Sequence, residues 1–308
     1  LELRPKDDLD RPIDAALRGN LVHDSLAAFL RAFPEGPLPD NALAELRSLA
    51  RAVFDPHWQH PTIRHFWWPA FETIAAWFIE TEVRRRAGIK TSHAEVEGSI
   101  DLAAPAGDVT FGARADRIDR LAGGGLAVLD YKTGETPSKA KVAGRRRTQL
   151  LVEAVIAAHG GFEGIDADDV TQMEYWRLTG RRGEPGKQTD VRPEGWSAAE
   201  DAAMLARLAT DFDSAATPYA SRPDPAIGPS FPRYDHLARV DEWRIAENGA
   251  ALAGMDGGAI QPAPPHRPDF DPAVSVDASR RQAAASDPAS SVFVSANAGT
   301  GKTKLLTD

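Results

Sequence analysis

Residues 126–134 read Leu-Ala-Val-Leu-Asp-Tyr-Lys-Thr-Gly, an apolar run that ends in an acid, an aromatic and a lysine. This segment constrains the chain more than any other. Ala127, Val128 and Leu129 have the composition of a strand covered on both faces. Residues two apart in a strand face the same way. Asp130 and Lys132 therefore point together, and Leu129 and Tyr131 point oppositely. A charged pair at the end of a buried strand costs free energy unless it is satisfied, so it needs a reason. Taken alone, Asp-x-Lys also fits an ion pair on an exposed face. Thr133-Gly134 ends the strand abruptly, as at the mouth of a cleft.

Alternating stretches at 93–102 and 109–120 precede it, joined by turns of sequence APAGD and AGGG that fit hairpin connections. Asp116 lies on the strand before Asp130 and is expected beside it. Two adjacent carboxylates repel unless a cation neutralises them. Mg²⁺ takes oxygen ligands and keeps several waters, so the pair is a credible site for it. A lysine two residues on can hold or deprotonate a water, or stabilise charge on a phosphate oxygen.

The flanks have the helical period. Residues 19–32, 40–53 (capped by Asp40 or Asn41) and 64–87 predict three helices. The aromatics Phe66, Trp67, Trp68, Phe71, Trp77 and Phe78 of the third are read as core. A helix is predicted at about 145–159, a strand at 170–178 and an Ala/Leu-rich helix at 196–214. The order predicts α/β with a mixed sheet flanked by helices, a long helical N-terminal part and a largely irregular C-terminal tail. Residues 247–288, rich in Ala, Gly, Pro and Asp, read as a linker. Arg84–Arg86 close a helix, where cations are favourable, and are given no function.

Composition excludes other classes. With no cysteine in 308 residues, disulfides, thiolate metal sites, iron–sulfur clusters and a cysteine nucleophile are excluded. No run of 18 uncharged apolar residues predicts a membrane span. No signal peptide is visible, which points to the cytoplasm. The N-terminus lacks Met, so the chain is expected to be cut from something longer. The net charge of −9 means that a nucleic acid must be met by a local basic patch. Lys139, Lys141, Arg145, Arg146 and Arg147 provide one, directly after the strand end, with no acid between 136 and 152. A solvated helix start is the plainer reading, but the helix dipole disfavours cations there.

GARADRIDRL, GGLAVLDYKTG and the following Gln-bearing helix resemble the RecB-type branch of the PD-(D/E)XK nucleases. The resemblance covers residues 10–245 and is nearest to the C-terminal nuclease domain of the AddB family of bacterial helicase–nucleases. It implies a restriction-endonuclease-like fold over 1–246. It further implies that His23, in Gly19-Asn20-Leu21-Val22-His23, binds Mg²⁺ or Mn²⁺ with Asp116, Asp130 and the Tyr131 carbonyl. Lys132 is then the catalytic lysine, and Gln149 supports the site. Where many relatives carry Tyr, this chain has Glu153, which receives no role. Glu97 is read as an outward-facing strand acid. The implied activity is exonucleolytic hydrolysis of single-stranded or duplex-end DNA. It would act on the 5′-ended strand, beside an AddA-like helicase, in double-strand break repair in the bacterial cytoplasm. With no cysteine, the domain would be of the kind without an iron–sulfur cluster.

Residues 289–308 carry a second resemblance. SANAGTGKT after a short apolar strand (291–296) is similar to the Walker A region opening the AddA helicase. Gln282 lies upstream as the adenine reader, and Gly299, Gly301, Lys302 and Thr303 form the phosphate loop. Ala296 stands where the strict pattern has Gly. Five residues beyond Thr303 cannot complete an ATPase, so neither ATP hydrolysis nor appreciable nucleotide binding is expected. A junction of two reading frames is expected, with Met255 as the possible second start. A non-cleaving DNA-holding scaffold, an NTPase, and the related CRISPR-adaptation and restriction nucleases are the alternatives.

Overall fold

A computed structural model of the chain describes residues 13–145 and 148–217, and the backbone of 292–296 and 303–307. Contacts divide the chain into one unit of residues 1–210 with 291–308 and another of 211–290. Of the second, only 211–217 are described.

Helix α1 (Ala15–Ala32) is capped by Asp14, whose carboxylate accepts from Leu17 N–H at 2.9 Å. Helix α2 (Ala42–Phe54) follows. The third predicted helix is divided. Ile63–Trp67 forms a wide π-helical turn and α3 (Trp68–Arg85) begins after it, with Pro69 in its first turn. Proline has no N–H to donate into a preceding turn and is tolerated at a helix start.

Strands β1 (Ile89–Leu102), β2 (Val109–Leu121) and β3 (Leu126–Lys132) form an antiparallel meander. The tight turn into β3 needs Gly125, at φ +84, where a Cβ would come within 2.9 Å of the Asp169 carbonyl. Helices α4 (Lys139–Ala143) and α5 (Gln149–Ala158) cross to β4 (Val170–Arg181), which runs parallel to β3. The helix expected at about 145–159 starts only at Gln149, after Arg145 at φ +52, and the short α4 before it was not expected. An edge strand, β5 (Glu184–Asp190), pairs with β4. Its sequence, EPGKQTD, has no apolar alternation and gave no strand signal. An edge strand tolerates Pro185, and Gly186 lies against the Trp77 ring. Helix α6 (Ala198–Asp213) closes the described body.

The five strands form a mixed sheet between two helical layers. Ala127, Leu129, Tyr131, Trp176 and Leu178 pack into one core with α1, α2 and α3. Leu126, Val128, Met173 and Tyr175 pack into a second core with α5. β3 is buried on both faces, as its composition predicts. The fold class read from the sequence therefore holds; of the aromatics read as core, Phe71 and Phe78 are buried and Trp67, Trp68 and Trp77 partly so, but Phe66 is 71% exposed.

Two short strands come from the C-terminal segment. β6 (Val292–Ala296) lies parallel to the start of β2, and β7 (Thr303–Thr307) is antiparallel to β6. This corrects the Walker A reading. A phosphate loop hands its strand to a helix whose N-terminal amides face the phosphates, whereas Thr303 opens a strand. Gln282, Gly299, Gly301, Lys302 and the 247–288 segment lie outside the described residues, as do Arg146 and Arg147. No helix among the described residues is long and apolar enough to cross a membrane.

Candidate metal centre

The site forms where the β2–β3 ladder stops. The last paired residues are Arg117 and Leu129, so the next step of the same register sets Asp116 opposite Asp130. In place of a ladder bond, Tyr131 N–H donates to Asp116 Oδ2 at 2.8 Å. Asp116 and Asp130 are both buried.

Asp130 and Lys132 face the α5 layer, as the alternation predicts. Lys132 Nζ donates to Asp130 Oδ1 at 2.8 Å and lies 2.7 Å from Oδ2. Gln149, the first residue of α5, donates from Nε2 to the same Asp130 Oδ1 at 2.7 Å. Its Oε1 accepts from Lys132 Nζ at 3.4 Å. Burial, and then the Asp116 charge, raise the Asp130 carboxyl. Burial pulls the Lys132 ammonium down, but Asp130 outweighs it and the net shift is upward. Lys132 is therefore a charged donor and not a free base.

Glu153, one turn along α5, accepts from Gln149 Nε2 at 3.1 Å. It is buried, and its Oε2 has no hydrogen-bond partner. Burial, followed by the Asp130 charge, pushes this carboxyl far up. Glu97 is exposed, as expected.

From the other layer, α1 brings His23 to the sheet. Gly19, one turn earlier, passes beside Thr133 at the end of β3, where a Cβ would lie 3.6 Å from its hydroxyl. The His23 ring meets Tyr131 edge-on at 5.8 Å. His23 Nδ1 lies 3.3 Å from Asp116 Oδ1. Burial lowers the imidazole, but Asp116 and then Asp130 overcome this and raise it to about 9. Asp116 Oδ1 is itself buried without a hydrogen-bond donor in register.

One member was missed in the sequence. Glu95 of β1 joins His23 and Asp116, and the ligand atoms of the three lie within 4.8 Å of one another. Glu95 has φ +53 inside a strand, a conformation costing a non-glycine residue about 1–3 kcal/mol and concentrated at functional sites. Its consequence is visible in the packing. Ala94 belongs to the core on the α1–α3 side, but Val96 packs against the α5 side. Opposite them, Arg117 reaches Glu82 of α3 while Ala115 faces the α5 core. The hairpin changes faces at Glu95 and Asp116. The even alternation of HAEVEGSIDL conceals this.

A partly buried imidazole and two carboxylates, one with a buried oxygen that makes no hydrogen bond, suit a divalent cation of the Mg²⁺ or Mn²⁺ class. The donor set fits the ion that the sequence implies.

The basic patch divides. Lys139 and Lys141 are exposed on α4. Arg145 is also held within the fold, its guanidinium bound to Asp201 of α6 with Nη2 at 2.5 Å and Nε at 3.1 Å. It ties α6 to the loop before Gln149, and its charge is already matched.

The family description of the PD-(D/E)XK nuclease superfamily matches residues 1–234, more than half of the chain and every element of this site. The chain belongs to the PD-(D/E)XK nuclease superfamily. Members of this superfamily are typically metal-dependent nucleases, which the carboxylate–lysine arrangement suits. Curated relatives of this superfamily member occur in Rickettsia. The uncharacterized protein RC0550 of Rickettsia conorii is 26% identical over 167 residues, 53% of this chain and 20% of that protein. Uncharacterized proteins of Rickettsia felis (25% over 167 residues; 53% of this chain and 19% of that protein) and Rickettsia bellii (23% over 165; 53% and 19%) are similar. The match thus spans about a fifth of each relative's length.

Proposed function

We propose that this chain is a metal-dependent deoxyribonuclease that hydrolyses single-stranded DNA exonucleolytically. The observation that carries the proposal is the junction at the end of β3. There Lys132 is fixed between Asp130 and Gln149, beside a buried Asp116 oxygen that has only the His23 ring nitrogen near it, at 3.3 Å. His23, Asp116 and Asp130, with the Tyr131 carbonyl, would hold the cation. When bound, it supplies Lewis-acid polarisation of the phosphate and a water of lowered pKa.

The chain's own residues do the rest. Lys132, kept as an ammonium by Asp130, donates to the phosphate oxygen on which charge develops. Gln149 holds the Asp130 carboxylate and the Lys132 ammonium in one geometry, so neither needs to reorganise during the reaction. Tyr131 N–H orients Asp116 through its Oδ2 and turns Oδ1 towards His23. Lys139 and Lys141 follow the site in sequence and are exposed, which suits contact with the backbone of an entering strand. The resemblance to AddB domains supports work beside an AddA-like helicase in break repair, in the bacterial cytoplasm. In that setting the helicase feeds the strand to the site.

The test uses end-labelled single strands with Mg²⁺, with Mn²⁺ and with chelator. Wild type is expected to shorten the strands only with metal. Lys132→Ala and Asp130→Ala are expected to lose about 100-fold or more of the rate while keeping the circular-dichroism spectrum. Wild-type rates in those variants would refute the assignment. Strand binding without cutting in either metal would leave a DNA-holding scaffold.

A further inference from the structure

We propose that Glu95 is an additional protein ligand of the cation, beyond the His-Asp-Asp-Lys set that the sequence points to. This rests on the metal reading above and extends it.

Four observations converge. The Glu95 carboxylate shares a 4.8 Å group with His23 and Asp116. Asp116 Oδ1, fully buried, makes no hydrogen bond and meets only the His23 ring nitrogen, at 3.3 Å. Lys132 and Gln149 both donate to Asp130 Oδ1, and Asp130 Oδ2 has only the Lys132 ammonium beside it. Bonding capacity is therefore open on Asp116 Oδ1 and Asp130 Oδ2, and Glu95 stands beside the first of these.

The backbone supplies the third observation. Glu95 is one of two described non-glycine residues at positive φ. A β-strand does not adopt this conformation by default, and Gly or Asn would take it with less strain. At this point the hairpin changes faces, so the inserted left-handed residue places the acid at the site. A sequence selected for stability alone has no use for glutamate there.

The fourth is Arg114. Its Nε holds Glu95 Oε2 at 2.8 Å from the open side, with the Arg114 side chain 45% exposed. One carboxylate is thus shared between a solvent-facing guanidinium and the His23–Asp116 pair. If Glu95 is a ligand, Arg114 competes with the cation for it. If Glu95 is only half of a surface ion pair, the two residues act together.

The signs of two substitutions separate these cases. Mn²⁺ binding to the full chain, without DNA, is followed by the loss of the free-ion electron paramagnetic resonance signal. Glu95→Gln is expected to weaken Mn²⁺ binding by about tenfold or more, the scale seen for groups that tune a metal site. Arg114→Gln is expected to tighten it by about twofold to fivefold, the worth of one exposed ion pair. Glu95→Gly, which takes φ +53 without strain, is expected to melt at a higher temperature than wild type and still bind Mn²⁺ weakly. It carries the test if Glu95→Gln does not fold. Unchanged affinity in both Glu95 variants overturns the inference, as does weaker binding in Arg114→Gln. Mn²⁺ binding by wild type together with either result would leave the metal centre standing without Glu95. No binding by wild type would bring down the metal reading itself, and this inference with it.

Discussion

Replacing Arg117 by Met tests a fully buried charge. Its guanidinium is 0% exposed. It bridges both Glu82 oxygens from α3, the Asp119 carboxylate at 2.6 Å, the Ser92 hydroxyl at 3.3 Å and the Tyr131 hydroxyl at 3.4 Å. Removing it leaves two buried acids, each with one weaker partner. Glu82 keeps Arg86 at 3.4 Å and Asp119 keeps Arg85 at 3.5 Å. Breaking a buried pair from one side costs about 3–5 kcal/mol, against a typical total stability of about 5–15 kcal/mol. With a urea slope of about 2 kcal/mol per molar, the midpoint should fall by roughly 2 M. The assay is urea unfolding followed by tryptophan fluorescence. The mechanism makes a second statement. Replacing the whole group, as Glu82→Leu/Arg117→Met/Asp119→Leu, should recover much of the loss, because the penalty is the stranded charge and not the missing contact. A single variant within about 1 kcal/mol of wild type would refute the reasoning. So would a triple variant less stable than the single one.

Other predictions follow from the same geometry. Arg145→Ala should loosen α6, since Asp201 would keep only the Trp196 indole donor. Faster amide exchange confined to α6, with unchanged single-strand affinity, is the expected result, and a large loss of DNA binding would contradict the tether. Lys139→Glu/Lys141→Glu should weaken strand binding and flatten its salt dependence by about 0.7 in log–log slope per lost phosphate contact. An unchanged slope in fluorescence anisotropy would remove these lysines from the DNA path.

Much of the site was legible because its coding is local. Asp130 and Lys132 share a face through the two-residue strand period, whatever the rest of the chain does. The Asp116–Asp130 juxtaposition followed from a short hairpin turn. His23 and Gln149 were reached only through the resemblance, because nothing local states that two helices on opposite faces of a sheet converge on one strand end. The Arg145–Asp201 pair was hidden for a similar reason. A run of five cations looks like a nucleic-acid patch until an acid 56 residues away claims one of them.

Sequence by itself determined the order of the principal helices and strands, the strand buried on both faces and the polar end of β3. Each of these is encoded in composition and periodicity over a few residues. Tertiary structure alone decided three other features. It bent Glu95 into a left-handed conformation and so exchanged the faces of a hairpin. It buried Arg117 among Glu82 and Asp119. It also made an edge strand of EPGKQTD. These depend on what lies across the sheet, and a side chain's nearest neighbours in space are set by packing, which no local pattern records.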